Sequence, residues 1–295
     1  MSDFLKEHDV EYKRNLRISE ISSIRIGGVS DITAYPKSEK EFIDLVDFLT
    51  CIAIPYKIIG RMTNILASDD GFRGVLISTK RLVSLSFDGV IAYAECGVAV
   101  SSLLFSAAKL NLGGLEALFG IPGTLGGLLH NNGGAGDFDI SHALLYARVY
   151  SPLLKKILFL DSRDLKLEYR SSIFFKCDFV ILSEAIAFVN GEYNDIIQKI
   201  RLAAEKRKAN QPLSYPSLGS VFKRENGMAV SKLIDTAGLK GVRIGGAQIS
   251  KKHAGFIINR GYATCNDVLE LIDLVKEKIF EKYGFVPKEE IEFLA

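Results

Sequence analysis

Apolar residues recur at helical spacing in several long stretches of the chain. In "PKSEKEFIDLVDFLTCI", Phe42, Leu45, Val46 and Leu49 fall on one face, and Ser38 followed by Glu41 predicts a capping box. "SSLLFSAAKLNLGG" reads as a helix closed by glycine at its C-terminal end. In "YNDIIQKIRLAAEKRKANQ", Ile196, Ile197, Ile200, Ala203 and Ala204 share a face, and basic residues gather at the end where the helix dipole favours them. "MAVSKLIDTAG" is a shorter helix stopped at Gly238. "TCNDVLELIDLVKEKIFEKYG" is a long one, with Val268, Leu271, Ile272, Val275 and Ile279 inward and Gly284 as its stop.

Between these lie short apolar runs bounded by turn residues, the mark of strands. They are "IPYKIIG", "VLIST", "ALLYARVYS", "KKILFLD", "FVILSEAIAFV", "RIGGAQIS", "GFIIN" and the tail "IEFLA". "LVSLSFDGVIAYAECG" reads as a hairpin with Asp88-Gly89 at its turn. The two prolines of "QPLSYPS" break the preceding helix and mark a lobe boundary.

Composition narrows the class. The 295 residues are 48% hydrophobic and 24% charged, with a net charge of +2, the profile of a globular protein without a general affinity for polyanions. No partner nucleic acid is expected. Cys51, Cys96, Cys177 and Cys265 are widely spaced, which fits reduced thiols in a cytoplasmic protein. His8, His130, His142 and His253 form no metal-ligand spacing, so no metal site is expected. The N-terminus is too polar for a signal peptide, and no apolar run reaches the ~20 residues of a membrane span.

Two glycine loops carry the candidate chemistry. The first is "IIGRMTNILASDDGF". The second, "GIPGTLGGLLHNNGGAG", holds seven glycines in seventeen residues. Glycine lets backbone N–H groups line one concavity, which binds an anion such as a pyrophosphate without lysine. Asn131, Asn132 and Thr124 add side chains able to bond ribityl or ring polar atoms. Neither loop is a P-loop or a Rossmann fingerprint.

With both loops in view, the chain resembles the UDP-N-acetylenolpyruvoylglucosamine reductase family. The resemblance rests on "SSIRIGG", "TNILASDDGFRGV", "GLEALFGIPGTLGG", "LEYRSSIF", "PSLGSVFK", "LIDTAGLKGVRIGGAQISKKHAGFIIN" and "EEIEFLA", which occur in the family's order. The spacing from "PSLGS" to "HAGF" matches the family's shorter type, which lacks an extra tyrosine-bearing loop. Three departures stand out. "GRMTN" puts Met62 and Thr63 where the family has glycine and serine; "NNGG" replaces Met-Asn-Ala-Gly; Arg224 and Glu225 follow "GSVFK" in place of Asn-Pro.

The resemblance implies an α+β fold: a two-lobed FAD-binding fold of the vanillyl-alcohol-oxidase (PCMH) type plus a C-terminal α/β substrate lobe. The expected boundaries are 1–78 and 79–205 for the FAD-binding lobes and 206–295 for the substrate lobe, with the last strand returning to the first lobe as an option. The implied activity is the FAD-dependent, NADPH-consuming reduction of the enolpyruvyl group of a UDP-sugar to UDP-N-acetylmuramate, in peptidoglycan precursor synthesis. FAD would be bound non-covalently. The partners would be the UDP-sugar and NADPH; the oligomeric state is left open, and a monomer is compatible with it.

Residue roles follow from the same resemblance. Ser220 would protonate the substrate carbon, Arg170 would face its carboxylate, and Glu290 would steady the intermediate, with Glu289 and Glu292 as neighbouring candidates. The cofactor would be held by Gly60, Arg61, Thr63, Asn64 and Ile65 in the first loop. In the second it would be held by Gly120, Ile121, Pro122, Gly123, Thr124, Gly126, Gly127, Asn131, Asn132 and Gly134. Tyr169, Lys223, Lys240 and His253 would contact the UDP-sugar. On residues alone, Ser220 reads as a turn serine, and only the resemblance gives it a catalytic role. Two other readings stay open: a different flavin oxidoreductase on the same scaffold, with His130 as a covalent attachment point, or a non-catalytic flavin- or nucleotide-binding module.

Overall fold

The computed structural model describes residues 1–225 and 227–295, the side chain of Ser2 excepted. The chain divides into two compact units. One comprises Met1–Lys13, Thr33–Arg61 and Val75–Lys206; the other comprises Arg14–Ile32, Met62–Gly74 and Arg207–Ala295.

Six sheets form. The first runs β1-β2-β5-β3, from β1 (Glu11–Arg17), β2 (Val29–Tyr35), β3 (Tyr56–Ile59) and β5 (Phe72–Ser78), with β3 and β5 parallel. The largest runs β12-β11-β13-β7-β6. Its members are β6 (Leu85–Asp88), β7 (Ile91–Glu95), β11 (Leu144–Ser151), β12 (Lys156–Asp161) and β13 (Val180–Ala187), and every pairing is antiparallel. The C-terminal sheet runs β15-β18-β17-β16, from β15 (Ser217–Ser220), β16 (Arg243–Ile244), β17 (Ala247–Ile249) and β18 (Phe256–Asn259). Two-residue pairs join β8 (Leu112–Gly113) to β14 (Val189–Asn190), and β9 (Gly134–Ala135) to β10 (Phe138–Asp139). The final strand, β19 (Glu292–Leu294), lies parallel to β4 (Ile65–Ala67), the strand that continues the first glycine loop.

In the first unit, α3 (Val100–Ala108) and α4 (Leu125–His130) share a core with the five-stranded sheet, built from Leu103, Leu104, Leu125, Leu129, Ala94, Ala147 and Ile186 among others. The helix α2 (Glu39–Cys51) buries the stripe expected for it. It is tied to β11 by a two-pronged ion pair of Arg148 with Glu39 and by Tyr150 Oη donating to Asp47 at 2.6 Å. Its Ser38 cap accepts from Glu41 N as expected, but the Glu41 carboxylate accepts from Lys37 N rather than closing the box on Ser38.

In the second unit, α6 (Val230–Thr236) and α7 (Cys265–Tyr283) pack with the C-terminal sheet. The five predicted inward residues of α7 are buried, each worth roughly 1.5–3 kcal/mol of transfer free energy. Thr264 and Asp267 close a capping box, and Gly284 ends the helix at φ 76°. A further segment joins this core. Ile24 and Ile26, from the "SSIRIGG" loop, are buried in it. Asn259 pins that loop: its Nδ2 donates to Ile24 O at 2.9 Å while its Oδ1 accepts from Gly261 N.

Several elements differ from the sequence reading. Among those not anticipated are α1 (Ser2–Glu7), the strands β1, β2, β4 and β15, and the helix α4. The helix α3 stops at Ala108, several residues before the glycines, because Asn111 turns the chain at φ 60°. The amphipathic α5 (Tyr193–Asn210) forms as expected, burying Ile196 and Ile200.

Candidate active site

The second glycine loop is not an open loop. Its middle is the helix α4, entered through Thr124, whose Oγ1 accepts from Gly127 N at 3.4 Å. Gly126 and Gly127 therefore lie in the first helical turn. A Cβ on Gly126 would come 2.8 Å from Cys96 Cβ, so this glycine serves packing against β7's end. A Cβ on Gly60, in the first loop, would lie 2.6 Å from Thr124 Oγ1, so glycine there lets the two loops approach. Gly120 turns at φ 83°, the Gly123 carbonyl accepts from Val100 N, Ile121 packs on the core, and Pro122 is exposed.

Asn132 follows α4 at φ 40° and is 1% exposed. Its Nδ2 donates to Glu168 O at 2.9 Å and to Asp139 Oδ2 at 3.3 Å, but its buried Oδ1 has no partner. A buried acceptor left unpaired is costly unless a ligand or water supplies the donor. Asn131, by contrast, turns its amide back to Gly127 O.

Arg170 belongs to the same constellation. "LEYRSS" forms a tight hairpin in which Glu168 and Ser171 exchange main-chain hydrogen bonds, with Tyr169 and Arg170 at the tip and Arg170 at φ 51°. From there Arg170 Nη1 donates to Asn132 O at 3.1 Å and Nη2 to Gly134 O at 2.9 Å. The guanidinium, 5.2 Å from the Tyr169 ring centroid, thus clips the end of the second loop.

Of the first loop, Met62 keeps the left-handed conformation, φ 48°, with its side chain buried. Its carbonyl accepts from Ser23 Oγ at 3.0 Å. Asn64 Nδ2 donates to Glu290 O at 2.9 Å, and Asn64 O accepts from Glu292 N at 2.8 Å. Ile65 opens β4; Arg61 is exposed and Thr63 half-buried.

The main chain around Glu290 runs beside the segment that leaves β15 at Ser220. Glu290 N donates to Val221 O at 2.7 Å, Lys223 N donates to Lys288 O, and Phe222 bridges Glu289. Ser220 Oγ donates to Phe222 O at 3.3 Å. Glu289 is drawn aside by an ion pair with Lys276.

Gly255 was not singled out from the sequence, yet a Cβ there would meet Ser231 Cβ at 3.0 Å, His253 Cε1 at 3.1 Å and Ser220 Oγ at 3.2 Å. Its missing side chain lets the serine hydroxyl and the imidazole share one space. The available signal was a lone glycine between a histidine and a buried strand. Gly255 N donates to His253 Nδ1 at 3.2 Å. Burial, with the Lys240 charge adding to it, holds the His253 pKa below its usual value, which favours the neutral ring with its proton on Nε2. Lys240 itself is paired with Asp235 at 2.6 Å. Among the described residues no group of three or more metal-ligating side chains gathers, and no helix is long and apolar enough to cross a membrane.

The FAD binding domain family matches residues 30–152, and the C-terminal domain of UDP-N-acetylenolpyruvoylglucosamine reductase matches residues 211–294. The reductase of Caldicellulosiruptor bescii is 39% identical over 99% of this chain and 93% of its own length; that of Clostridium perfringens is 36% identical over 100% and 96%. A crystal structure of the reductase from Thermus caldophilus has a TM-score of 0.82 at 26% identity, covering 97% of this chain and 99% of that one. A variant of berberine bridge enzyme, a reticuline dehydrogenase, shares the fold alone, at a TM-score of 0.53 and 12% identity over 65% of this chain and 43% of that one. The fold is α+β, the FAD-binding fold of vanillyl-alcohol-oxidase type with a C-terminal α/β lobe. On full-length similarity, the chain belongs to the UDP-N-acetylenolpyruvoylglucosamine reductase family.

Proposed function

We propose that the chain catalyses the FAD-dependent, NADPH-consuming reduction of UDP-N-acetylglucosamine-enolpyruvate to UDP-N-acetylmuramate, a step of peptidoglycan precursor synthesis in the cytoplasm. Family membership supports the reaction class. The observation that supports the residue roles is the main-chain bond from Glu290 N to the carbonyl of Val221, the residue after Ser220.

The glycine approach of Gly60 to Thr124 and the unpaired, buried Oδ1 of Asn132 fit a polar cofactor with N–H or O–H donors. Bound FAD would supply a two-electron carrier, taking hydride from NADPH and passing it to the enolpyruvyl double bond. This chain's residues do the rest. Hydride addition at one carbon leaves negative charge on its neighbour and on the adjoining carboxylate. Ser220 gives the proton of its Oγ to that neighbouring carbon, completing the new C–H bond, and the serine oxygen regains a proton from solvent. A hydroxyl is a weak acid in water, but the reacting carbanion is strongly basic and the exclusion of water strengthens nearby charges. Arg170, fixed by two carbonyls, offers a guanidinium charge in a set place for the substrate carboxylate. Glu290 steadies the intermediate as its electrons shift. His253, with Nε2–H as donor, and Lys223, Lys240 and Tyr169 contact the UDP-sugar.

The test follows NADPH oxidation with and without the enolpyruvyl UDP-sugar, then repeats it with Ser220→Ala. The reading expects substrate-dependent oxidation, and a variant whose flavin is reduced at the normal rate but re-oxidised by substrate ~10²–10³ more slowly. Normal turnover by that variant would remove Ser220 from the chemistry.

A further inference from the structure

The unpaired amide oxygen of Asn132 is aimed by its neighbours. Asn132 Nδ2 gives its hydrogens to Glu168 O at 2.9 Å and to Asp139 Oδ2 at 3.3 Å. A carbonyl and a carboxylate offer no hydrogen, so an amide turned the other way would set its oxygen against two acceptors. The orientation is therefore decided by chemistry. Oδ1 is left on the other side, within a residue that is 1% exposed, and without a partner.

Asp139 is itself held in place to do this. It faces Gly134 across the β9–β10 pair. A Cβ on Gly134 would lie 2.6 Å from Asp139 Cβ, so glycine lets the two strands close to this distance. The two oxygens of Asp139 have separate partners. Oδ1 accepts from Ser141 N at 3.1 Å and from Ser141 Oγ, capping the single turn of 3-10 helix at Ile140–His142. Asp139 N donates to His142 Nδ1 at 3.3 Å and closes that cap. Oδ2 is the oxygen given to Asn132.

We infer that Asp139 is a positioning residue of the cofactor site: acting through Asn132 Nδ2, it presents Asn132 Oδ1 as an acceptor to an N–H or O–H donor of the bound flavin. This rests on the FAD reading above. A flavin has two sources of such a donor, the ring N3–H and the ribityl hydroxyls. The contact selects for polarity. A donor gains a hydrogen bond there, whereas a ring nitrogen carrying only a lone pair would meet another lone pair and leave both groups unsatisfied.

Asp139→Asn separates the two roles of the side chain. Asparagine caps a helical turn about as well as aspartate. Its one oxygen is claimed by the Ser141 donors, so its amide nitrogen faces Asn132. Two amide nitrogens cannot bond to each other, and Asn132 turns over, giving its oxygen to the new donor and its Nδ2 to the ligand side. The site then offers a donor where the flavin needs an acceptor, while the turn persists. Asp139→Ser also caps but is too short to reach Asn132, so nothing forces the amide over. Ser141→Ala does the reverse: it weakens the cap and leaves Asp139 Oδ2 on Asn132.

The test is the FAD dissociation constant of the full-length, flavin-loaded protein, read from the rise in flavin fluorescence on dilution, for the parent, D139N, D139S and S141A. Thermal melts of each flavin-free chain check folding. The measurement is repeated after exchange into 3-methyl-FAD, which has no ring N–H. We expect D139N to hold FAD roughly tenfold to a hundredfold more weakly, D139S to lose less, and S141A to match the parent. With 3-methyl-FAD the parent and D139N become alike where the ring N–H is the donor; the D139N loss persists in full where a ribityl hydroxyl is. A folded D139N that binds FAD as tightly as the parent overturns the inference, as does an S141A loss equal to that of D139N, which would make the cap the cause. Should D139N fail to fold, D139S decides in its place, and parental affinity in that variant overturns the inference. A parent chain that binds no FAD removes the underlying reading and this inference with it; a tight-binding parent with an equally tight D139N removes this inference alone.

Discussion

Glu290 donates its backbone N–H to the carbonyl of Val221 at 2.7 Å, one residue from Ser220. Consecutive residues of an extended segment face opposite ways, so Glu289, committed to Lys276, and Glu290 are directed apart. This separates two carboxylates that the sequence leaves equivalent. Glu290→Gln should slow substrate-dependent flavin re-oxidation by ~10²–10³, with flavin reduction by NADPH unchanged. Glu289→Gln should leave the rate alone and cost at most ~1 kcal/mol of stability, the ordinary value of a partly exposed ion pair. Stopped-flow absorbance of the two half-reactions distinguishes the two; equal effects on re-oxidation would reverse the assignment.

Arg170 holds two carbonyls of the second loop at once, through Nη1 to Asn132 and Nη2 to Gly134. An ammonium cannot reproduce that fork. Arg170→Lys should therefore loosen the loop as well as weaken substrate turnover. Losing one charged hydrogen bond is worth ~1.5–3 kcal/mol, so flavin affinity measured by fluorescence on dilution should drop by roughly tenfold to a hundredfold. A variant with unchanged flavin affinity and reduced turnover would confine Arg170 to the substrate.

Glu184 sits on β13 between Ala94 and Ala147 of the flanking strands, 1% exposed, and neither carboxylate oxygen has a partner. Burial pushes its pKa up to about 8. The folded state then binds a proton that the unfolded state releases near 4.5, the ordinary value. Between those two values the native protein holds more protons, so stability falls as pH rises and levels off above about 8. Glu184→Gln has no proton to lose and should flatten this slope. Thermal melts of both proteins from pH 5 to 9 should diverge, with the variant gaining relative to the parent at the alkaline end. Parallel curves would mean that Glu184 is hydrated or paired in solution.

How much of this was legible beforehand varied with the physics involved. The helices α2, α5 and α7 follow from apolar spacing and caps, because a single buried face decides them. The helix α4 was hidden: glycine is a poor helix former, and only packing against Cys96 and the Thr124 cap overrides that propensity. Met62 at a glycine position was legible as a departure but not as a conformation; burial of its side chain holds it at φ 48°. Ser220 and Glu290 could be named from motifs, whereas their adjacency depends on strand pairing between residues seventy positions apart in sequence. Gly255 could not be found as a site residue, because its contribution is the space it leaves. The "SDDGF" and "FIIN" motifs, grouped in sequence with the functional stretches, prove to carry structural residues in Asp69 and Asn259.

Asp69 gives the last prediction. Its Oδ1 accepts from Cys265 N at 2.8 Å and its Oδ2 from Asn266 N at 3.2 Å, so a carboxylate from the first glycine loop caps the opening turn of α7. Two of the helix's unpaired donors are satisfied, and the charge complements the positive end of the helix dipole. Asp69→Ala should cost about 1–2 kcal/mol, read as a lower urea midpoint with an unchanged slope. Asp69→Asn, which keeps one acceptor, should lose less. A second readout separates capping from general damage. The Cys265 thiol is pushed up to about 12, first by burial and then by the Asp69 charge. Removing the carboxylate while the fold persists should move the onset of Cys265 alkylation to lower pH in both variants. If stability drops but the thiol profile does not move, the Asp69 charge does not act on this helix end and the capping geometry is wrong.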